Sequence, residues 1–80
     1  MKVNIIAYGI AKDIIGGKKL ELDIPEGSTI HQLKEILLQQ YPGFSTLRSL
    51  SFAVGEEYRE DDFLLGEASE VVLIPPVAGG

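Results

Sequence analysis

The chain has 80 residues, which excludes a second domain and leaves little room for an enclosed active site, since domains usually run to about 100 residues or more. Seven Lys and Arg against twelve Asp and Glu give a net charge of -5, the wrong sign for neutralising phosphates or adhering to anionic membranes, so no nucleic-acid and no membrane partner is expected. With no Cys, a disulfide framework, a thiolate zinc site and a cysteine nucleophile are all excluded.

Lys2 to Tyr8 alternates with period two, setting Val3, Ile5 and Ala7 on one face and Asn4, Ile6 and Tyr8 on the other, which predicts a first strand. Asn4 and Gly9 interrupt this apolar start and no small-residue cleavage site follows, so it reads as structure rather than a leader, and the protein as soluble and cytoplasmic. Gly9 to Lys18 carries Ile10, Ile14 and Ile15 but closes on Gly16-Gly17, predicting a loop with a hydrophobic tuck. Lys19 to Ile24 alternates again, Leu20, Leu22 and Ile24 inward, as a second strand paired with the first. Thr29 with Gln32 three residues later forms a capping box before a helix over 30–40, whose inward stripe is Ile30, Leu33, Ile36 and Leu37. Pro42 and Gly43 end it, and a turn returns Phe44 and Leu47 to the core.

Leu50 to Val54 then reads as a strand, Gly55-Glu56 as a tight turn, and Glu57 to Arg59 as a short edge strand blunted by charge. Asp61 to Gly66 is a crossing loop that tucks Phe63 and Leu65 inward. Val71 to Ile74 is wholly apolar, the pattern of a strand in mid-sheet with both faces covered. Pro75 and Pro76 end it, because neither can donate to a ladder. The fold class is therefore α+β, about five strands with one main helix on one face. Residues 1–74 form the domain and residues 75–80 an extended tail. One helix covers one sheet face only, so Ile6, Tyr8, Val72 and Ile74 fall on the other. Loops cover that face or a partner does, and the two readings stand about even.

The side chains offer little chemistry. His31 is the only His and has no companion ligand, so it reads as a surface residue and no metal is expected. Glu56, Glu57, Glu60, Asp61 and Asp62 lack the spacing of a calcium loop and read as a solvated face. Gly16-Gly17-Lys18 fails as a phosphate loop, because Lys12 replaces the first Gly and Lys19 the Ser or Thr. Ser45, Thr46, Ser49 and Ser51 have no base near them in sequence. What remains is Val77-Ala78-Gly79-Gly80 behind the two prolines. One reading is a frayed end. The other is a slender arm, free of Cβ at its tip, that enters a narrow channel and presents its α-carboxylate to another protein.

Leu73-Ile74-Pro75-Pro76-Val77-Ala78-Gly79-Gly80, with Ala53-Val54-x-Glu56-Glu57-Tyr58 upstream and Asp62 and Glu70-Val71 between, resembles the molybdopterin synthase small subunits, the MoaD group of ubiquitin-like sulfur carriers. The likeness covers the whole chain. It implies a β-grasp fold with the first and last strands adjacent and parallel. It also implies that the Gly80 carboxylate is adenylated by an ATP-dependent E1-like enzyme, thiocarboxylated from a persulfide sulfur donor, and inserted with Gly79 into the synthase large subunit. There its sulfur passes to a cyclic pyranopterin precursor in molybdenum cofactor biosynthesis. The carrier would bind no cofactor of its own, ATP being used by the activating enzyme, and would be a donor subunit whose catalytic side chains lie on the large subunit.

Partner-binding positions carried over are Ile6, Tyr58 and Ile74, with the tail residues Pro75, Pro76, Val77 and Ala78. Gly55 stands where the family often has Asn, and Gly66-Glu67-Ala68-Ser69 replaces a common Asp-Gly-Asp turn. The alternatives are a ThiS-like carrier for another pathway, such as thiamine or thio-metabolite synthesis, and a β-grasp protein modifier or passive interaction module. Pro75-Pro76-Val77 favours molybdopterin.

Overall fold

The computed structural model describes residues 1–46 and 50–75. All five expected strands form: β1 (Lys2–Ala7), β2 (Lys19–Asp23), β3 (Ser51–Val54), β4 (Glu57–Arg59) and β5 (Glu70–Ile74). They lie in one mixed sheet in the order β2-β1-β5-β3-β4. β1 and β5 run parallel and next to each other, Ile5 opposite Val71 and Ala7 opposite Leu73. The other three pairings are antiparallel. The alternation is the expected one, with Val3, Ile5, Ala7, Leu22, Ile24, Val71 and Leu73 buried on one side. The apolar run Val71 to Ile74 lies in central β5, but only one of its faces is sealed: Val72 and Ile74 remain half-buried on the other.

Helix α2 (Ile30–Gln40) closes the buried side. Ile30, Leu33 and Leu37 are its buried stripe, while Ile36 is only partly covered. Each fully buried aliphatic side chain contributes about 1.5 to 3 kcal/mol of transfer free energy, so three of them outweigh the modest propensity of an 11-residue helix. Its start is fixed as the sequence predicts. The Gln32 amide donates to Thr29 Oγ1 at 3.3 Å, and the Thr29 amide donates to Gln32 Oε1 at 2.8 Å. After α2 a 3-10 turn (Pro42–Thr46) brings Phe44 into the core. Leu47, expected beside it, lies outside the described residues.

The expected loop after β1 is instead a helix, α1 (Gly9–Ile15). Ala11, Ile14 and Ile15 recur at i, i+3 and i+4, the signature of a helical stripe. Ala11 is fully buried, with Ile14 and Ile15 packed against the core. Glycines bracket the helix: the chain enters through Gly9 at φ 57° and leaves through Gly16 at φ 78°. The Gly16 and Gly17 amides both donate to the Lys12 carbonyl, a left-handed cap that satisfies its last turn. Tyr8, extended at the N-cap, belongs to this junction, and β1 therefore stops at Ala7.

The crossing loop packs as expected, with Leu65 buried and Phe63 partly so. It hangs on the start of α2: the Ile30 amide donates to the Phe63 carbonyl and the His31 amide to the Asp61 carbonyl. Ser28, buried beneath it, donates its hydroxyl to the Pro25 carbonyl at 2.6 Å. The Gly66 to Ser69 turn places Ala68 at φ 61°. Ser69 Oγ accepts from the Gly66 amide and donates to the Gly66 carbonyl, and the Ala68 amide then reaches the Lys2 carbonyl at the start of β1. Thr29→Ala should lower unfolding free energy by about 1 kcal/mol, the usual worth of a capping side chain, as read by urea denaturation with an unchanged m-value.

Candidate functional site

The sheet face away from α2 is organised by register. Lys19 lies opposite Ile6, Ile6 opposite Val72, Val72 opposite Ala53, and Ala53 opposite Tyr58. These five residues form one row across all five strands, apolar except at the Lys19 end. Carried one residue beyond the Ala7–Leu73 pair, the parallel register sets Tyr8 beside Ile74, and Ile74 faces Ser51. The face expected to need a cover is thus continuous, and it includes Tyr58. Sequence alternation had weaker purchase on Tyr58, because a three-residue strand offers barely one period.

The residues on this face are unequal. Tyr58 is 70% exposed and Tyr8 49%, whereas Ile6 is 7% exposed, shielded by its row neighbours. Val72, Ala53 and Ile74 are half-buried. The surface open to a partner is therefore carried by the two tyrosines, over a floor of Ala53, Val72 and Ile74. Ala53 was not singled out in the sequence for this role, although its alternation with buried Phe52 already placed it outward. A second row, Glu21, Asn4 and Glu70, makes the neighbouring part of the face acidic and polar.

β5 ends, and Pro75 follows it, at the end of the sheet where Tyr8 and Ile74 lie. Because β1 and β5 are parallel, both end there, and a Cβ on Gly9 would stand 3.5 Å from the Pro75 ring. The Lys18 ammonium sits 5.6 Å from the centre of the Tyr8 ring beside them. Of the expected tail residues Pro75 is half-buried. Pro76, Val77, Ala78, Gly79 and Gly80 lie outside the described residues.

The remaining candidates sit apart from this face. His31 is on the exposed flank of α2, its Nε2 2.8 Å from a Glu35 oxygen and its Nδ1 3.7 Å from Asp61. Lys34 Nζ donates to Asp61 Oδ1 at 2.6 Å. That ammonium, helped by His31, holds the Asp61 carboxyl below the usual aspartate range. Glu56, Glu57, Glu60 and Asp62 are exposed, as a solvated acidic face should be. Among the described residues no group of three or more His, Asp or Glu is placed to hold a metal ion. None of the described helices is long and apolar enough to cross a membrane.

Comparison with known proteins places the chain. The profile of the ThiS family matches residues 5–80, and the chain belongs to that family. A molybdopterin synthase sulfur carrier subunit from Dictyostelium discoideum is 34% identical over 81 aligned positions, which cover 96% of this chain and 94% of that protein. One from Arabidopsis thaliana is 28% identical, over 100% of this chain and 84% of its own. A solved structure from Pyrococcus furiosus, described as a putative molybdopterin converting factor, subunit 1, superposes with a TM-score of 0.88 at 22% identity, over 96% of this chain and 99% of that one. The fold is the ubiquitin-like β-grasp.

A depressed folded-state pKa means that the Lys34–Asp61 contact stabilises the protein at pH above the ordinary aspartate value, and that this contribution is lost as pH falls through the depressed one. In Lys34→Ala the Asp61 carboxyl should titrate at higher pH than in the parent, measured by carboxyl-carbon NMR. The stability change should be small, because both groups are solvated.

Proposed function

We propose that this chain is the sulfur carrier subunit of a molybdopterin synthase, and that its C-terminal Gly80 is the site of loading. The observation that carries the proposal is the family match running to residue 80, together with full-length likeness to sulfur carrier subunits of that synthase. The Gly80 carboxylate attacks the α-phosphate of ATP on an E1-like activating enzyme, giving an acyl-adenylate and releasing pyrophosphate. The outer sulfur of a donor persulfide then attacks the acyl carbon and AMP leaves with the bonding electrons, giving an acyl disulfide; a thiol of the donor system cleaves its S–S bond, releasing the thiocarboxylate and ending as a disulfide with the donor sulfur. The resulting thiocarboxylate is a soft nucleophile, ionised near neutral pH, that donates its sulfur to a cyclic pyranopterin precursor held by the large subunit. Water then regenerates the carboxylate.

This division of labour asks the carrier for three things. It must hold the tail clear of the sheet, present a face for its partners, and keep the last residues free of bulk. The parallel ending of β1 and β5 serves the first. The row from Ile6 to Tyr58, with Ile74 and Tyr8 above it, serves the second, docking on the large subunit as Pro75, Pro76, Val77 and Ala78 lead Gly79 and Gly80 into its channel. Gly79-Gly80 serves the third, since a chain without Cβ atoms passes where no other residue fits. The carrier works in the cytoplasm, binds no cofactor and supplies no catalytic side chain.

Incubated with the activating enzyme, ATP and a sulfur donor, the chain should gain one sulfur in place of oxygen at Gly80, localised by fragmentation mass spectrometry and blocked by thiol alkylation. An unmodified Gly80 with active partners present would reject the sulfur-carrier reading, and an amide bond to a lysine would identify a protein modifier instead. Removing Gly80, or adding one residue after it, should abolish sulfur transfer with the thermal melt unchanged. Ile74→Asp should weaken the complex with the large subunit about thirtyfold or more, the scale of an interface hot spot, by isothermal calorimetry.

A further inference from the structure

We propose that Arg59 is a positioning residue for partner binding: from the helix side of the sheet it clamps the β3–β4 hairpin and so fixes Tyr58 on the opposite face. The inference rests on the sheet face being the docking surface, and it assigns a role to a side chain that does not touch that surface. Among the described residues Tyr58 is the most exposed large hydrophobic side chain, at 70%, so packing does not hold it. Its place is set by the backbone of β4, an edge strand of three residues paired on one side only. Such a strand frays readily, because few ladder bonds oppose its opening.

Arg59 makes up for this. Its Nε donates to the Val54 carbonyl at 3.1 Å, tying the end of β4 back to the end of β3 across the Gly55-Glu56 turn. A terminal guanidinium nitrogen lies 3.0 Å from Glu57 Oε2, at the start of the same strand. The planar group stacks on Phe63 with its central carbon 4.6 Å from the ring centre, within the range of a cation–π contact. Phe63 in turn is held by the Ile30 amide at the first turn of α2. The clamp therefore runs from the fixed start of α2, through Phe63 and Arg59, to both strands of the hairpin beside its turn. Tyr58, adjacent to Arg59 and facing the other way, inherits that rigidity. The turn needs the help, for Glu56 adopts φ 68° without being glycine, a conformation that L residues resist.

The test is a double-mutant cycle on the complex of the full chain with the large subunit, read by calorimetry. Arg59→Ala should weaken binding about tenfold, yet less than about twofold when Tyr58 is already Ala, because coupled residues give non-additive effects. Arg59→Lys keeps the charge beside Glu57 but lacks the Nε donor and the flat stacking surface, so it should follow Arg59→Ala. Amide hydrogen exchange in the free carrier should show faster exchange across β4 in both variants, with β1 and β5 unchanged. Additive losses, full affinity in Arg59→Lys, or unaltered exchange in β4 would each overturn the role of Arg59 while leaving the docking face intact. Unchanged affinity in Tyr58→Ala would overturn the docking face and the positioning role together. If Arg59→Ala does not fold, Arg59→Met supplies the same cycle with the aliphatic stem retained.

Discussion

The parallel ladder between β1 and β5 is the constraint on which the remaining structure depends. It joins residues 4–7 to residues 70–73, so the centre of the sheet exists only when both ends of the chain have come together. Parallel pairing needs a long crossover, and here the crossover is nearly the whole molecule. It carries α2 to one face and leaves β2 and the β3–β4 hairpin to flank the centre. Val71 and Leu73, with no exposed surface, pack with Ile5 and Ala7 beneath α2. Formation of this pair aligns the register of every other strand.

From that arrangement the two-sidedness follows. The 11-residue α2, with the short α1 packed into the same core, shields one side of a five-stranded sheet and leaves the other uncovered. The uncovered side combines a floor of half-buried aliphatics with two aromatic rings at its margins, one beside the tail and one on the hairpin. Exposed apolar surface on so small a protein is costly in solubility, and the acidic excess of the chain offsets that liability by mutual repulsion between free copies. The same excess leaves the polar row at Glu21, Asn4 and Glu70 suited to basic surfaces.

Much of this was legible in the sequence for identifiable reasons. Strands with one buried face announce themselves by alternation, and the capping box at Thr29 and Gln32 marked the start of α2 to the residue. α1 was missed because six residues between two glycines read as turn material, and because its one fully buried residue is alanine. The small Ala11 side chain makes the helix fit closely under the sheet end, yet it adds little to a hydrophobic stripe on paper. The membership of Tyr58 in the uncovered face came from register, which local sequence does not encode. The contacts of Arg59 were likewise invisible, since the Val54 carbonyl and the Phe63 ring are brought to it by the geometry of the turn before β4 and of the loop after it. The expectation for the terminal glycines concerns chemistry rather than fold, and it rests on what those residues lack.

One consequence of the parallel centre is mechanical. The first strand starts at one end of the ladder it shares with the last strand, and the last strand finishes at the other end, so tension applied between the two chain ends loads that ladder lengthwise. Hydrogen bonds running across the direction of pull share the force and must fail together, unlike a hairpin peeled open one rung at a time. A pull on the last residues would therefore meet the lengthwise resistance of the central ladder rather than the rung-by-rung opening of a hairpin.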